Sequence, residues 1–274
     1  MARLEINFYS KTLDRNETVT VILPEKQFGI GMYDPGVSVT KATASWNGET
    51  PLKTLYLLHG YSDDHTIWSR RTSLERYVAG KQIAVIMPSA CNSYYIDEKG
   101  GWKYWTYISE ELPEIMSAFF KLSDKREDHY VAGLSMGAFG SLKMGLLKSN
   151  YFSKCAAMSG GTFFLDEIEK VKKHENSWID EAMLLRVFGS INNPIVQKED
   201  TLEGMIEYIT NNNFLKPDIY LSTGELDPYI NDFLRESHIL KENGFNVLEK
   251  VVPGLGHQWK LWDDEIQEVL KWIG

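Results

Sequence analysis

Short apolar runs recur along the chain and predict strands that are buried on both faces of a sheet. The runs lie at 54–59, 83–87, 129–132, 154–158, 218–221 and 247–252. Runs of this length are typical of parallel strands covered by helices. Amphipathic stretches between them predict helices at Leu112–Leu122, Ala138–Lys148, Asp232–Asn243 and Trp262–Ile273, with Gly244 in a helix C-capping position. The alternation of strand and helix predicts an α/β fold with right-handed crossovers.

Three segments depart from this alternation of buried strands and amphipathic helices. Alternating residues at Leu4–Tyr9 and Thr18–Leu23 predict two antiparallel strands at the N-terminal edge of the sheet. Residues 24–51 are rich in Gly, Pro, Ser and Thr and predict a surface loop. Residues 161–213 are charged and interrupt the alternation. We interpret residues 1–274 as one domain with a cap-like insertion at 161–213, the alternative being a surface excursion without function.

Length and charge narrow the class of protein. A chain of 274 residues fits one large α/β domain. The net charge of −9 argues against nucleic acid or an anionic membrane as the main partner, and a homo-oligomer is compatible with the composition. No apolar stretch approaches the roughly 20 residues that span a bilayer, and the N-terminus lacks a secretory signal, so we expect a cytoplasmic protein. Cys91 and Cys155 lie next to strand-like apolar runs and are expected to be small buried thiols, and their spacing does not fit a zinc site.

The segment Gly133-Leu-Ser135-Met-Gly137 matches the G-x-S-x-G motif of a nucleophile elbow. A predicted strand precedes it and a predicted helix follows it, which is the strand–turn–helix context that the motif requires. The two glycines allow a turn so tight that side chains at their positions would collide with backbone. A helix N-cap serine would explain Ser135 but neither glycine. We therefore predict that Ser135 is a nucleophile.

A serine hydroxyl needs a base, and the base needs a carboxylate to orient it. His257 lies between the last predicted strand and the last helix, in the chain order Ser, acid, His of α/β-hydrolases. His59 and His65 precede the serine, although His59 is placed to help shape the site. Asp227 follows a predicted strand and is the preferred carboxylate. Glu225 is the second candidate, and Asp232 is expected to begin the next helix.

Acyl transfer also needs donors for a developing oxyanion. The backbone N–H of Met136, directly after the serine, is one predicted donor. The loop at 58–64 supplies the other, with Tyr61 preferred and Gly60 as the alternative. Six aromatic residues are candidates for the lining of a substrate pocket: Tyr61, Trp68, Trp102, Trp105, Trp259 and Trp262.

With these motifs in place, the chain resembles the esterase D-like α/β-hydrolases, and within them the bacterial tributyrin esterases. The matching stretches are Leu57-Leu-His-Gly60, Met87-Pro-Ser89, Tyr107–Pro113, Gly133–Gly137, Ser222–Asp227 and Pro253–Trp259. The resemblance implies an α/β-hydrolase fold with a mostly parallel sheet. It also implies hydrolysis of short-chain acyl esters without a cofactor or metal, by Ser135, Asp227 and His257, with the Tyr61 and Met136 amides as the oxyanion hole.

Three departures from the family pattern bear on acyl-chain preference. Region 24–51 is longer than expected, region 161–213 has no close match, and Ser222-Thr-Gly224 stands where Cys-Gly-Thr is expected. Feruloyl esters, acetylated carbohydrates and S-formylglutathione are therefore alternative substrates. A binding protein that has lost catalysis is the alternative from a different class.

Overall fold

A single mixed sheet organises the protein. The computed structural model describes residues 1–25, 46–162, 164–175, 177 and 179–274. Within these residues the strands are β1 (Ala2–Ser10), β2 (Arg15–Leu23), β3 (Lys53–Leu58), β4 (Ile83–Pro88), β5 (His129–Leu134), β6 (Lys154–Met158), β7 (Asp218–Gly224) and β8 (Val247–Val252). Their order across the sheet is β1-β2-β4-β3-β5-β6-β7-β8. Strand β2 is antiparallel to β1 and β4, and the pairs from β4 through β8 are parallel. The predicted α/β-hydrolase sheet with an antiparallel N-terminal edge is confirmed.

Helices follow most of the strands. They are α1 (Ile67–Arg71), α2 (Leu74–Tyr77), α3 (Tyr104–Thr106), α4 (Leu112–Phe119), α5 (Met136–Leu147), α6 (Phe164–Lys172), α7 (Glu181–Phe188), α8 (Leu202–Asn211), α9 (Ile230–Glu242) and α10 (Trp259–Ile273). A π-helix, Tyr107–Glu111, joins α3 to α4, and short 3₁₀ turns occupy Arg126–Asp128 and Lys198–Asp200.

The predicted helices are confirmed, but their ends are shifted. Helix α4 ends at Phe119 rather than Leu122, because Leu122 forms a parallel bridge with Leu52. Helix α10 begins three residues before the predicted Trp262, directly after the extended residue Gln258. Gly244 has φ +74° just beyond α9, which confirms its capping position.

The sheet separates two hydrophobic cores, because successive strand residues point to opposite faces. In β3, Tyr56 and Leu58 pack in the core that includes α5, whereas Leu55 and Leu57 pack in the core that includes α10. Both cores contain fully buried side chains, so the central strands are covered on each face as their apolar runs predict. The carboxyl ends of β3, β5, β6 and β7 consequently meet at one edge of the sheet.

Two further predictions have different outcomes. Residues 26–45, which make up most of the predicted loop at 24–51, lie outside the described residues. Cys155 is buried, as expected, and burial raises the pKa of its thiol. The prediction was wrong for Cys91, which is exposed and accepts a hydrogen bond from the Tyr104 hydroxyl at 3.0 Å.

Candidate active site

Ser135 occupies a sharp turn between β5 and α5. Its backbone has φ 52° and ψ −118°, a conformation that L-residues rarely adopt. A Cβ atom on Gly133 would lie 2.1 Å from the Gly137 carbonyl oxygen, and one on Gly137 would lie 2.6 Å from the carbonyl oxygens of Leu58 and His59. Both glycines are therefore required by close backbone contacts, and the turn has the geometry predicted from the motif.

His257 and Asp227 converge on this serine from two loops. The Nε2 atom of His257 lies 3.0 Å from Ser135 Oγ, and its Nδ1 atom lies 3.1 Å from Asp227 Oδ2. Asp227 is 2% exposed and also accepts a hydrogen bond from the Tyr229 N–H at 3.1 Å. Burial raises the pKa of Asp227, but the hydrogen bond and charge of His257, together with hydrogen bonds from the Tyr229 N–H and Ser159, outweigh it, so the net pKa is below the usual value. Asp227 is therefore held as a carboxylate beside the imidazole.

The two other candidate carboxylates, Glu225 and Asp232, have different contacts. Glu225 is exposed, and its Oε2 atom accepts a hydrogen bond from the Gly254 N–H at 2.9 Å. This contact joins the loop that carries Asp227 to the loop that carries His257. Asp232 lies in the first turn of α9 and pairs with Arg235 at 3.1 Å, as expected of a residue that begins a helix.

Close packing of backbone brings these two loops together. The Leu226 N–H donates to the Leu255 carbonyl at 2.8 Å, and the Glu225 N–H donates to the Val252 carbonyl at 2.9 Å. A Cβ atom on Gly224 would lie 2.1 Å from the Leu255 carbonyl oxygen. The lack of a side chain at Gly224 thus allows the histidine loop to cross the end of β7 and reach the serine.

The loop after β3 borders the serine on its other side. A Cβ atom on Gly60 would lie 3.6 Å from the Cβ atom of Ser135. Buried His59 supports this loop: its Nε2 atom accepts from the Ala90 N–H at 2.8 Å, which leaves Nδ1–H to donate to the Gly60 carbonyl at 2.7 Å. Burial lowers the pKa of His59 to about 4, so the ring is neutral at physiological pH. His59 therefore helps shape the site by holding the Gly60 loop in place.

The remaining histidines have contacts away from Ser135. The buried His129 ring contacts the Ser123 carbonyl at 2.7 Å, and His65 Nδ1 lies 2.7 Å from Thr20 Oγ1. His174 and His238 are exposed. Of the histidines in the described ranges, His257 is the one whose ring is hydrogen-bonded to Ser135.

A cavity of about 590 Å³ opens above Ser135 and His257. Its other lining residues are Gly60, Tyr61, Asp63, Tyr94, Leu134, Pro228, Tyr229, Gln258, Trp259 and Trp262. Three of the six predicted aromatic residues are therefore confirmed. Trp68 lies behind the wall, edge-on to Trp259 at 5.5 Å between ring centroids. The prediction was wrong for Trp102, which packs against Arg15, and for Trp105, which lines a second cavity beside Lys143.

Among the cavity side chains to which sequence reasoning assigned no role are Tyr229, Asp63 and Tyr94. Tyr229 follows Asp227 by two positions, so its place in the acid loop was a usable signal. Asp63 lies in the loop after β3, where its proximity to Gly60 could have indicated a role. Tyr94 comes from a segment after β4 and has φ 56°, and no local pattern indicates that it lines the cavity.

In the described part of the chain, no group of three or more His, Cys, Asp and Glu side chains is arranged to bind a metal ion. No helix among those residues combines the length and the apolar character needed to cross a membrane.

Known proteins are similar to this chain in sequence and fold over almost its whole length. A family model described as "Putative esterase" matches residues 10–273. An acetyl esterase of Caldicellulosiruptor saccharolyticus is 30% identical over 274 residues, covering 100% of this chain and 98% of the relative.

Two solved structures from Staphylococcus aureus are also similar. The substrate-bound fluorophosphonate-binding serine hydrolase FphF superimposes with a TM-score of 0.80 at 28% identity, covering 99% of this chain and 98% of that one. The S-formylglutathione hydrolase FrmB, an apoenzyme, gives a TM-score of 0.79 at 28% identity, with the same coverage of 99% and 98%.

Proposed function

The chain belongs to this esterase family, and from that premise we propose that it hydrolyses short-chain acyl esters through an acyl-serine intermediate. Family membership supports a carboxylic ester hydrolase of the serine type. The observation that carries the proposal is the continuous hydrogen-bonded chain from Ser135 Oγ through the His257 ring to Asp227, at the floor of a cavity. These three hydrogen-bonded side chains supply a nucleophile, a general base and an orienting carboxylate in direct contact.

In the first step, His257 Nε2 accepts the Ser135 hydroxyl proton as Oγ attacks the ester carbonyl carbon. The imidazole becomes positively charged, and the Asp227 carboxylate stabilises that charge through Nδ1–H. The C–O bond to the alcohol then breaks, and His257 returns the proton to the leaving oxygen. In the second step, His257 removes a proton from water, hydroxide attacks the acyl-serine, and the acid is released as Ser135 recovers its proton.

The negative charge on the carbonyl oxygen needs donors, and we assign the N–H groups of Met136 and Tyr61 to this role. Met136 is the first residue of α5, where the helix dipole also favours an anion. Tyr61 is preferred to Gly60 because the Gly60 backbone already interacts with the Asp63 carboxylate. The proximity of Gly60 to Ser135 supports the assignment of this loop.

The insertion at 161–213 belongs to the same proposal, as a cap on one α/β-hydrolase domain. The Tyr229 hydroxyl, on the cavity wall, lies 3.5 Å from Glu167 of α6. Arg186 of α7 donates to the Asn92 carbonyl at 2.9 Å. Asp200 forms a buried ion pair at 2.5 Å with Lys143, on the helix that begins after Ser135. These contacts support an insertion that packs against the hydrolase domain and, through Tyr229, holds one wall of the cavity in place.

The experiment measures hydrolysis of p-nitrophenyl esters from acetate to decanoate, together with labelling by a fluorophosphonate. We expect the highest kcat/KM for acetate or butyrate and a label on the peptide that contains Ser135. The highest rate for decanoate would contradict the short-chain proposal. Absence of both turnover and label would instead favour a non-catalytic binding protein, the alternative from a different class.

A further inference from the structure

The cavity above Ser135 has an uneven distribution of charge. Asp63 is the one carboxylate among its described lining residues, and those residues include neither lysine nor arginine. The other titratable groups of the lining are His257 and the three tyrosines Tyr61, Tyr94 and Tyr229. A substrate carboxylate that entered this cavity would therefore meet a like charge and find no fixed cation to pair with.

Asp63 is close to the reacting centre. Its Oδ2 atom lies 3.4 Å from the position of a Cβ atom on Gly60, and that same position is 3.6 Å from Ser135 Cβ. The turn is closed by the Asp63 N–H, which donates to the Gly60 carbonyl at 3.3 Å. Asp63 is thus attached to the loop that borders the serine, so its charge acts on the part of the substrate bound beside the reacting ester.

The side chain of Asp63 is partly buried. Burial raises its pKa and Asp64 adds to the rise, while Arg70, Arg71 and the Gly60 backbone counteract it. Arg70 and Arg71 are exposed and do not line the cavity.

Aromatic rings form the rest of the wall. Trp259 and Trp262 pack edge to face with centroids 5.2 Å apart, and Trp262 packs edge to face with His257 at 5.0 Å. These contacts hold the rings in place. Ring faces bind the C–H surfaces of a sugar or polyol, whereas an ionised carboxylate accepts hydrogen bonds from its hydroxyl groups. Together, rings and one carboxylate suit a neutral molecule that carries several hydroxyls.

We propose, resting on the esterase function proposed above, that Asp63 is a specificity-determining residue that selects esters of neutral polyhydroxylated alcohols and rejects esters of carboxylate-bearing alcohols. Acetylated neutral sugars belong to the first class. Glutathione thioesters resemble the second class in their charge, because glutathione carries carboxylates. The proposal therefore favours carbohydrate acetyl ester hydrolysis over S-formylglutathione hydrolysis for this chain.

The test uses two substrates that differ in one group. A triacetylated methyl glucoside with a free primary hydroxyl is compared with the triacetylated methyl glucuronide, which has a carboxylate in its place, and acetate release gives kcat/KM. We expect the wild type to prefer the glucoside by about 10-fold or more in kcat/KM, because repulsion between two like charges at a partly solvated site has an effect of about that size. In Asp63→Asn, the preference should fall by about 5-fold to 10-fold.

Asp64→Asn is the matched control. Asp64 is the neighbouring exposed carboxylate, accepts hydrogen bonds from Thr66 and does not line the cavity. Its replacement removes the same charge and keeps an oxygen acceptor, so the substrate preference should stay within about 2-fold of the wild type. Equal rates for both sugars in the wild type would overturn the proposal. An unchanged preference in Asp63→Asn, or an equal loss in Asp64→Asn, would overturn it too.

Hydrolysis of p-nitrophenyl acetate, measured in the same preparations, separates this inference from the esterase proposal. If the wild type cleaves p-nitrophenyl acetate but shows no preference between the sugars, the role of Asp63 is wrong and the esterase assignment stands. If p-nitrophenyl acetate, both sugars and the fluorophosphonate all fail to react, the esterase proposal itself is wrong, and the role of Asp63 is wrong with it.

Discussion

The Nε2 atom of His257 lies 3.0 Å from the Oγ atom of Ser135, although 122 positions separate the two residues in the chain. This contact joins the turn after β5 to the loop after β8 across the sheet edge. Asp227 lies 3.1 Å from the other nitrogen of the same ring. A proton on Ser135 Oγ therefore has a direct acceptor, whose positive charge has a direct carboxylate partner.

We predict that Ser135→Ala lowers kcat/KM for p-nitrophenyl butyrate by at least about three orders of magnitude, because no other group replaces the attacking oxygen. Ser141→Ala is the matched control. Ser141 lies in α5, the helix that follows Ser135, and donates to the carbonyls of Ala138 and Ala156, away from the cavity. Its loss should reduce stability by about 1 kcal/mol with little change in rate. Equal rates for Ser135→Ala and the wild type would show that another residue is the nucleophile.

A second prediction separates the two candidate acids. Asp227→Asn should lower kcat by about 10³-fold to 10⁴-fold, because the amide cannot stabilise the imidazolium and favours the wrong tautomer. Glu225→Gln should stay within a few-fold of the wild type, since its amide oxygen can still accept from the Gly254 N–H. The measurement is kcat for the same ester in both variants. The reverse ranking of the two variants would make Glu225 the functional carboxylate.

The nucleophile turn provides a prediction about stability. In Gly133→Ala, the new Cβ atom would lie 2.1 Å from the Gly137 carbonyl oxygen, so backbone must move. We expect a loss of about 3 kcal/mol or more in the free energy of unfolding, measured in urea. Gly100→Ala is the control, because its Cβ atom would be 3.6 Å from the nearest atom, an ordinary contact. Similar unfolding midpoints for the two variants would argue against the tight turn.

Burial of His59 predicts a pH dependence of stability. Its folded-state pKa of about 4 is below the ordinary 6.5, so the unfolded chain binds a proton first as the pH falls. The stability associated with neutral His59 is therefore complete above about pH 6.5 and is lost progressively as the pH falls through 4. The total is about 3 kcal/mol.

Urea unfolding at several pH values between 7 and 4 measures this loss. His59→Gln, which keeps an acceptor for the Ala90 N–H, should lose less stability over the window than the wild type. His238→Gln is the control, because that ring is exposed and should leave the pH profile unchanged. A His59→Gln profile parallel to that of the wild type would refute the prediction.

Local sequence patterns account for most of the features that could be predicted before the fold was known. The strand–turn–helix around Ser135 depends on residues within a few positions of it, and so does the glycine requirement at 133 and 137. Chain order, together with the position of His257 between the last predicted strand and the last helix, was enough to choose it among six histidines. Predicted helix ends were less accurate, because the Leu52–Leu122 bridge that accompanies the early end of α4 is a contact between distant segments.

The sequence by itself determined the α/β alternation, the antiparallel edge and the residues that can supply a nucleophile, a base and an acid. Each of these depends on hydrophobic period or turn chemistry within a short segment. Only the tertiary structure decided the strand order, the support of the Gly60 loop by His59 and the joining of Glu225 to Gly254. It also decided that Asp63 and Tyr94 share a cavity with Trp259. These features require segments far apart in the chain to meet, and such contacts depend on packing of the whole sheet rather than on local pattern.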